Sequence, residues 1–161
     1  MKKILFVCTA NWYRSRFAEE YFQNLVSIFN LDIYVSSAGF DISAADKAAE
    51  RLGEMSPLTK FKLKSLGIMK EEDDSINTIK TRNQITQRHF DYFDKIVALD
   101  RTEHLQYLKN YSVNHDKLLL WDIADVQFGG VPSKVFLEIQ GNCEKLISTY
   151  WLNEELWNEN L

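Results

Sequence analysis

At 161 residues, with 45% hydrophobic and 26% charged side chains, the chain can bury a full core and fits one globular domain, residues 1–161. A formal net charge of −4 argues against a nucleic acid or an anionic membrane surface as partner. The two cysteines, Cys8 and Cys143, make neither a disulfide framework nor a zinc pattern, so a reducing cytoplasm is the expected setting.

The opening Met1-Lys2-Lys3 and the apolar run behind it are too brief for a signal peptide, because the run stops at Asn11 and Arg14 follows. No longer apolar stretch could span a bilayer. Lys3 to Val7 is instead rich in Ile, Leu, Phe and Val, which suits a buried parallel strand. Ser15 opens a segment in which Phe17, Ala18, Tyr21, Phe22 and Leu25 recur at helical spacing. The strand therefore enters the helix through Cys8-Thr9-Ala10-Asn11-Trp12-Tyr13-Arg14-Ser15.

A loop in that position gathers backbone N–H groups at the positive end of a helix, where an anion binds. Five residues between Cys8 and Arg14 let the loop curl into a bowl, with the sulfur at its base and the guanidinium at its rim. The same groups favour thiolate over thiol. Arg14 can hold two phosphoryl oxygens at once, which a lysine cannot. Ser15 is expected to cap the helix and to donate to the sulfur, and Asn11 suits a left-handed backbone that turns a carbonyl away from the anion. Trp12 and Tyr13 would wall the bowl, with Phe128 opposite. Alone, a Cys-x5-Arg spacing is a modest signal; the strand before it and the serine and helix after it sharpen it. The competing reading of Cys8 is a small buried hydrophobe that ends a strand.

At these residues the chain resembles the phosphate-binding loop of the low-molecular-weight protein tyrosine phosphatases. The resemblance implies Cys8 as nucleophile and Arg14 as its phosphate clamp, with Thr9, Ala10, Asn11, Trp12, Tyr13 and Ser15 surrounding the substrate. It also implies no metal or cofactor, a phosphotyrosine-containing protein as partner, and inhibition by phosphate-like oxyanions. The fold expected is α/β: a four-stranded parallel sheet of order 2-1-3-4 between helices, in a flavodoxin-like three-layer arrangement.

Further along, Ile33 to Ala38 reads as a second strand, completing a right-handed βαβ unit. Ser36-Ser37-Ala38-Gly39 ends it. By resemblance Ser37 supports Asn11; on the residues alone it is a strand-ending turn. Phe40 to Glu54 is polar and Ala-rich with room for a short helix, and Phe40 would stand for the family's aromatic at the site mouth. A helix should begin after Ser56-Pro57 and stop at Gly67. Lys70 to Asp74 is a charge run expected on a solvated loop. Thr81 to Thr86 resembles the family's Arg-Gln-x-Thr segment, but Ile79 stands where a histidine commonly buttresses the loop asparagine. Other groups would then have to support Asn11.

Phe93 to Leu99 reads as a third strand leading into Asp100-Arg101-Thr102-Glu103-His104, with Leu105 and Leu108 on a helix face. Lys117 to Trp121 is the fourth strand and delivers Asp122 to Gly130. In an open parallel sheet the loops after the strands share one edge, so this loop can reach the bowl. A carboxylic acid there could protonate a leaving oxygen and then, as carboxylate, activate water. The resemblance maps that acid onto Asp125, with Val126 where a proline is usual and Asp122 as second candidate. From Val135, a closing helix carries Phe136, Ile139, Cys143, Leu146, Ile147, Tyr150 and Trp151, with Cys143 in the core. His89, His104 and His115 are isolated and expected to be surface or structural, and Trp157 to be packing.

The function expected is a cysteine-dependent phosphomonoesterase acting on protein phosphotyrosine. Against the pattern of the family it resembles, the chain has Ala10 for the usual loop glycine, Tyr13 for a common second cysteine and Arg16 for the usual proline, and it departs again at Ile79 and Val126. These departures keep rivals open: an arsenate reductase, a phosphoarginine phosphatase, or a module that binds phosphate without turnover. The reductases use further cysteines, and Cys143 lies in the wrong segment for that relay. Trp12 stands where phosphoarginine phosphatases favour a small threonine, which tilts the reading toward aryl phosphates.

Overall fold

The computed structural model describes residues 1–70, 79–126 and 130–152. Strand β1 (Lys2–Cys8) is followed by α1 (Arg14–Ile28), β2 (Ile33–Gly39), a short 3-10 turn and α2 (Asp46–Leu52), then α3 (Pro57–Ser65). After these come α4 (Gln87–Tyr92), β3 (Lys95–Ala98), α5 (Arg101–Leu108), β4 (Leu118–Leu120) and α6 (Pro132–Leu152). The four strands form one parallel sheet in the order β2-β1-β3-β4.

Strand β1 lies in the middle because it has apolar side chains on both faces. Ile4, Leu5, Phe6 and Val7 are all fully buried, as a strand covered on both sides requires. Successive side chains point to opposite faces. Ile4, Phe6 and Cys8 join α1, α3 and α6 through Phe17, Phe22, Leu63, Phe136, Ile139 and Cys143. Leu5 and Val7 join the other layer through Phe90 of α4 and Leu108 of α5, with Phe93 and Ile96. The result is the expected three layers.

Local chemistry sets the helix ends. Pro57 opens α3, where its missing N–H is unneeded, and Gly67 follows the end of α3 at φ 71, a value that favours glycine. Asp100 caps α5 by accepting from the Thr102 N–H at 3.3 Å. Helix α1 differs from expectation: it begins at Arg14 with Tyr13 as its cap residue, so Ser15 lies inside the first turn and caps nothing. Its hydroxyl is thereby available to the site.

Among the described residues no helix is long and apolar enough to cross a membrane. The charge run beyond Lys70, Phe128, Trp157 and the side chains of Tyr150 and Trp151 lie outside the described residues.

Candidate active site

The loop between β1 and α1 is held from outside by its carbonyl groups. The Cys8 carbonyl accepts from the Phe40 N–H at 3.0 Å, and that of Thr9 from the Asp41 N–H at 2.8 Å. The Trp12 carbonyl accepts from the Ser56 N–H at 2.8 Å, and that of Tyr13 from the Thr59 hydroxyl at 3.0 Å. No N–H from Thr9 to Tyr13 has a partner among the described residues. A loop with four carbonyls engaged from outside and its N–H groups free is built for an anion.

Two features let the loop close so tightly. Asn11 adopts φ 50, the left-handed conformation that asparagine tolerates. Gly39, at the end of β2, lies directly behind it: a Cβ there would stand 2.8 Å from both the Asn11 nitrogen and the Thr9 oxygen. Glycine is the side chain that this approach allows.

Cys8 is 3% exposed, and its Sγ lies 3.0 Å from Ser15 Oγ. The surrounding bonds decide which atom gives the proton. Asn11 Oδ1 accepts from the Asn83 N–H at 2.8 Å, which fixes the amide orientation. Asn11 Nδ2 then donates to both Ser15 Oγ and Ser37 Oγ, each at 2.9 Å. The Ser37 hydroxyl in turn donates to Glu19 Oε2 at 2.5 Å. Ser15, having accepted from Asn11, has its hydroxyl proton left for the sulfur. Ser37 thus touches Asn11 directly, and the place of the missing histidine is taken by a backbone N–H.

Arg14 is 2% exposed. Its Nη1 donates to the Ile123 carbonyl at 2.9 Å and its Nη2 to both Glu103 oxygens at 3.1 and 2.9 Å. Burial pulls its pKa down, but the electrostatic influence of neighbouring Cys8, Glu103 and Asp125 more than offsets this and leaves it above the ordinary guanidinium value. Glu103 also accepts from the Thr9 hydroxyl. Burial pushes the Glu103 carboxyl up, while bonds from His104 and Thr9 and the Arg14 charge push it down further, to about 2. The His104 ring is fully buried beside this pair. Its Nδ1 accepts from the Asp100 N–H at 3.1 Å, so its proton is on Nε2, 3.3 Å from Thr9 Oγ1.

The two acid candidates separate. Asp125 is 16% exposed with Oδ2 3.6 Å from Arg14 Nη2, and it lines the same cavity as Cys8. Its Oδ1 accepts from the Val126 N–H at 2.7 Å, a bond that exists because the residue is not proline. Gly130 closes this loop, its N–H on the Asp125 carbonyl at 3.0 Å. Asp122 is 73% exposed, pairs with Arg101 at 3.4 Å, and does not line the cavity.

The cavity above the sulfur has a volume of about 380 Å³ and includes Thr9, Ala10, Trp12 and Tyr13 in its lining. Trp12 is anchored at its rim by a bond from Nε1 to the Gly53 carbonyl at 2.9 Å. Tyr13 is more deeply set than expected: its ring packs edge-on against Phe136 at 5.3 Å, and its hydroxyl is buried without a partner among the described residues. Burial, with the Asp125 charge behind it, pushes that phenol up to about 12. Phe40 is not at the mouth. It is buried against Tyr107 and His104, with ring centres 5.2 and 5.3 Å away, and Tyr107 lines the cavity instead. Of the two places expected for His104, surface or structural, it takes the second: fully buried, it does not line the cavity but backs Thr9 and Glu103. Sequence reasoning also missed Glu103 and the wall supplied by Ala44, Ala45 and Ala48. For the Glu103-His104 pair a signal existed: it follows the strand that the 2-1-3-4 order places beside β1.

A family model described as low molecular weight phosphotyrosine protein phosphatase matches residues 3–149. The chain belongs to that family. No curated protein matches it by sequence. Among solved structures it is similar to SP-PTP, the low molecular weight protein tyrosine phosphatase of Streptococcus pyogenes, at 22% identity and TM-score 0.71, covering 97% of each chain. It is similar to the YwlE arginine phosphatase with a phosphorylated active-site serine, at 20% identity and TM-score 0.74, covering 96% of this chain and 99% of that one. It is also similar to Vibrio vulnificus Wzb in complex with benzylphosphonate, at 19% identity and TM-score 0.64, covering 89% and 95%. At these identities the likeness establishes the fold, which these phosphatases share with the present chain. Membership makes the protein a phosphatase of the low-molecular-weight family.

Proposed function

We propose that the protein hydrolyses protein phosphotyrosine and other aryl phosphates through a phosphocysteine formed on Cys8. The observation that carries this reading is the loop itself: free N–H groups from Thr9 to Tyr13 around a sulfur that lies 3.0 Å from the Ser15 hydroxyl. In the first step the Cys8 sulfur attacks phosphorus in line, the S–P bond forms and the bond to the phenolic oxygen breaks. Asp125 gives that oxygen a proton. Arg14 and the N–H groups hold the equatorial oxygens as charge spreads over them. In the second step Asp125, now a carboxylate, takes a proton from water, whose oxygen displaces the sulfur and releases inorganic phosphate. The Ser15 hydroxyl stabilises the departing sulfur.

The aryl preference rests on the cavity. Trp12, Tyr13 and Tyr107 line it, and a flat ring entering between them buries apolar area at little conformational cost. The YwlE likeness keeps phosphoarginine as the comparison substrate. The test is rapid-quench trapping with an aryl phosphate and with phosphoarginine, on the wild type and Cys8→Ser. A phosphocysteine from the aryl ester, with no turnover by Cys8→Ser, is the expected result. A chain that binds phosphate but forms no covalent intermediate would reduce the reading to a binding module.

A further inference from the structure

Two arginines open helix α1, and the proposed chemistry uses one of them. Arg16 is 1% exposed, on the first turn after Arg14. Its Nη2 donates to the Lys80 carbonyl at 2.7 Å and its Nη1 to the Thr81 carbonyl at 3.3 Å. Its Nε is buried without a partner among the described residues. A guanidinium is seldom fully buried, and placing one there is costly unless its bonds do something the fold needs.

The carbonyls it holds belong to a stretch, residues 79–86, with no helix or strand of its own. That stretch supplies the Asn83 N–H which meets Asn11 Oδ1 at 2.8 Å, two residues beyond Thr81. Arg82, between them, bonds Glu54, Asp46 and the Ile42 carbonyl. The backbone from Lys80 to Asn83 is therefore held both by Arg16 and by the partners of Arg82. Its remaining freedom bears directly on Asn11, and Asn11 sets the Ser15 hydroxyl on the sulfur.

We infer that Arg16 is a positioning residue of the active site: by gripping the Lys80 and Thr81 carbonyls it sets the Asn83 N–H, and through Asn11 and Ser15 the geometry around Cys8. The assignment rests on the reading of Cys8 as nucleophile. It explains two departures together. Ile79 leaves Asn11 Oδ1 without a side-chain donor, and Arg16, where proline is usual, holds the stretch whose backbone N–H meets it instead. Two adjacent carbonyls require a planar fork with two donor nitrogens, which a lysine's single ammonium does not reproduce. Burial lowers the Arg16 pKa, with Glu19, Glu20, Glu54 and Cys8 opposing it, and arginine stays protonated regardless.

The surroundings also supply the test. Arg16 borders two cavities, one of about 160 Å³ shared with Asn11, Ser37 and Asn83, the other of about 250 Å³ shared with Met55, Leu63 and Ile79. Truncation to alanine is expected to open space between them for free guanidinium. We expect folded Arg16→Ala to lose roughly 10²-fold in kcat with little change in KM, the scale of a displacement of about 1 Å at a reacting centre. Guanidinium chloride below denaturing concentrations should restore much of that loss, and equal potassium chloride should not. A second readout needs no turnover: inorganic phosphate should protect Cys8 from iodoacetamide in the wild type, less in Arg16→Ala, and again when guanidinium is added. Wild-type kcat and phosphate protection in a folded Arg16→Ala would overturn the assignment, as would losses that guanidinium leaves untouched. If the alanine variant fails to fold, Arg16→Lys is read by the same assays, with reduced kcat and protection expected and wild-type values overturning. A wild type that turns over no aryl phosphate would sink the phosphatase reading while the alkylation assay still judges Arg16.

Discussion

The Glu103 carboxylate meets the Arg14 guanidinium with both oxygens, 3.1 and 2.9 Å from Nη2. Through the Thr9 hydroxyl it also holds the other end of the same loop. One side chain on α5 thus ties together the beginning and the end of the loop between β1 and α1. It does so as an anion, which makes the tie dependent on pH.

The sign follows from the folded and unfolded values. The Glu103 carboxyl is held at about 2 in the folded protein against an ordinary 4.5. A depressed carboxyl contributes stability that is fully present above its unfolded value and is lost as pH falls toward the folded one. With 12% of the side chain exposed, solvent screens the pair only in part. Wild type should therefore be more stable than Glu103→Gln at neutral pH, and the gap should close between about pH 4.5 and 2. Urea midpoints at a series of pH values measure it. A gap that persists unchanged to pH 2 would show that the charge of Glu103 contributes nothing.

Asp125 and Asp122 make a paired experiment. A general acid contributes roughly 10² to 10⁴ in rate, so Asp125→Asn should lose kcat on that scale. The loss should shrink for aryl phosphates whose phenolate leaves easily, because such oxygens need no proton. Asp122 is 73% exposed and engaged with Arg101, so Asp122→Asn should leave kcat near wild type. Losses of equal size in both variants, or a larger loss at Asp122, would move the acid.

Gly39→Ala tests the packing behind the loop. The new methyl would stand 2.8 Å from the Asn11 nitrogen and the Thr9 oxygen and 2.9 Å from the Ala10 carbonyl carbon, all of them backbone atoms that cannot rotate aside. Overpacking of this kind costs about 1–3 kcal/mol. The displaced atoms also carry the free N–H groups, so a folded variant should bind inorganic phosphate more weakly than its lost stability alone would explain. Calorimetric titration with phosphate and thermal melts on one sample separate the two effects.

What could be read from the chain divides along physical lines. The run from Lys3 to Val7 and the spacing from Phe17 to Leu25 are local patterns, and they announce the strand, the turn and the helix that bring Cys8, Asn11 and Ser15 together. The cap of α1 lies two residues earlier than expected, at Tyr13 rather than Ser15, a distinction that side-chain type alone does not make. Glu103 and His104 were given no role in the site because Arg101-Thr102-Glu103-His104-Leu105 by itself singles out neither; the signal lay in the strand order. Their importance comes from β3 lying beside β1, a relation between segments about 90 residues apart in sequence. The backbone support of Asn11 by Asn83 was hidden for a similar reason: an N–H has no signature in a sequence.

The last prediction concerns oxidation, and it follows from where the second cysteine lies. Peroxide converts an exposed thiolate to a sulfenic acid, which a neighbouring thiolate can trap as a disulfide before further oxidation becomes irreversible. Tyr13 occupies the loop position where many relatives carry such a neighbour. Cys143 cannot replace it, because it is fully buried on α6 among core side chains and burial pushes its thiol well above the ordinary range, away from the thiolate that exchange requires. Peroxide inactivation should therefore be reversed by dithiol only in its earliest phase, with Cys8 then accumulating as sulfinic acid and no bridge between Cys8 and Cys143. Tyr13→Cys should recover a larger share of its activity with dithiol after the same exposure. Mass spectrometry of Cys8-containing peptides distinguishes the outcomes, and a Cys8–Cys143 disulfide in the oxidised wild type would contradict the packing on which the prediction depends.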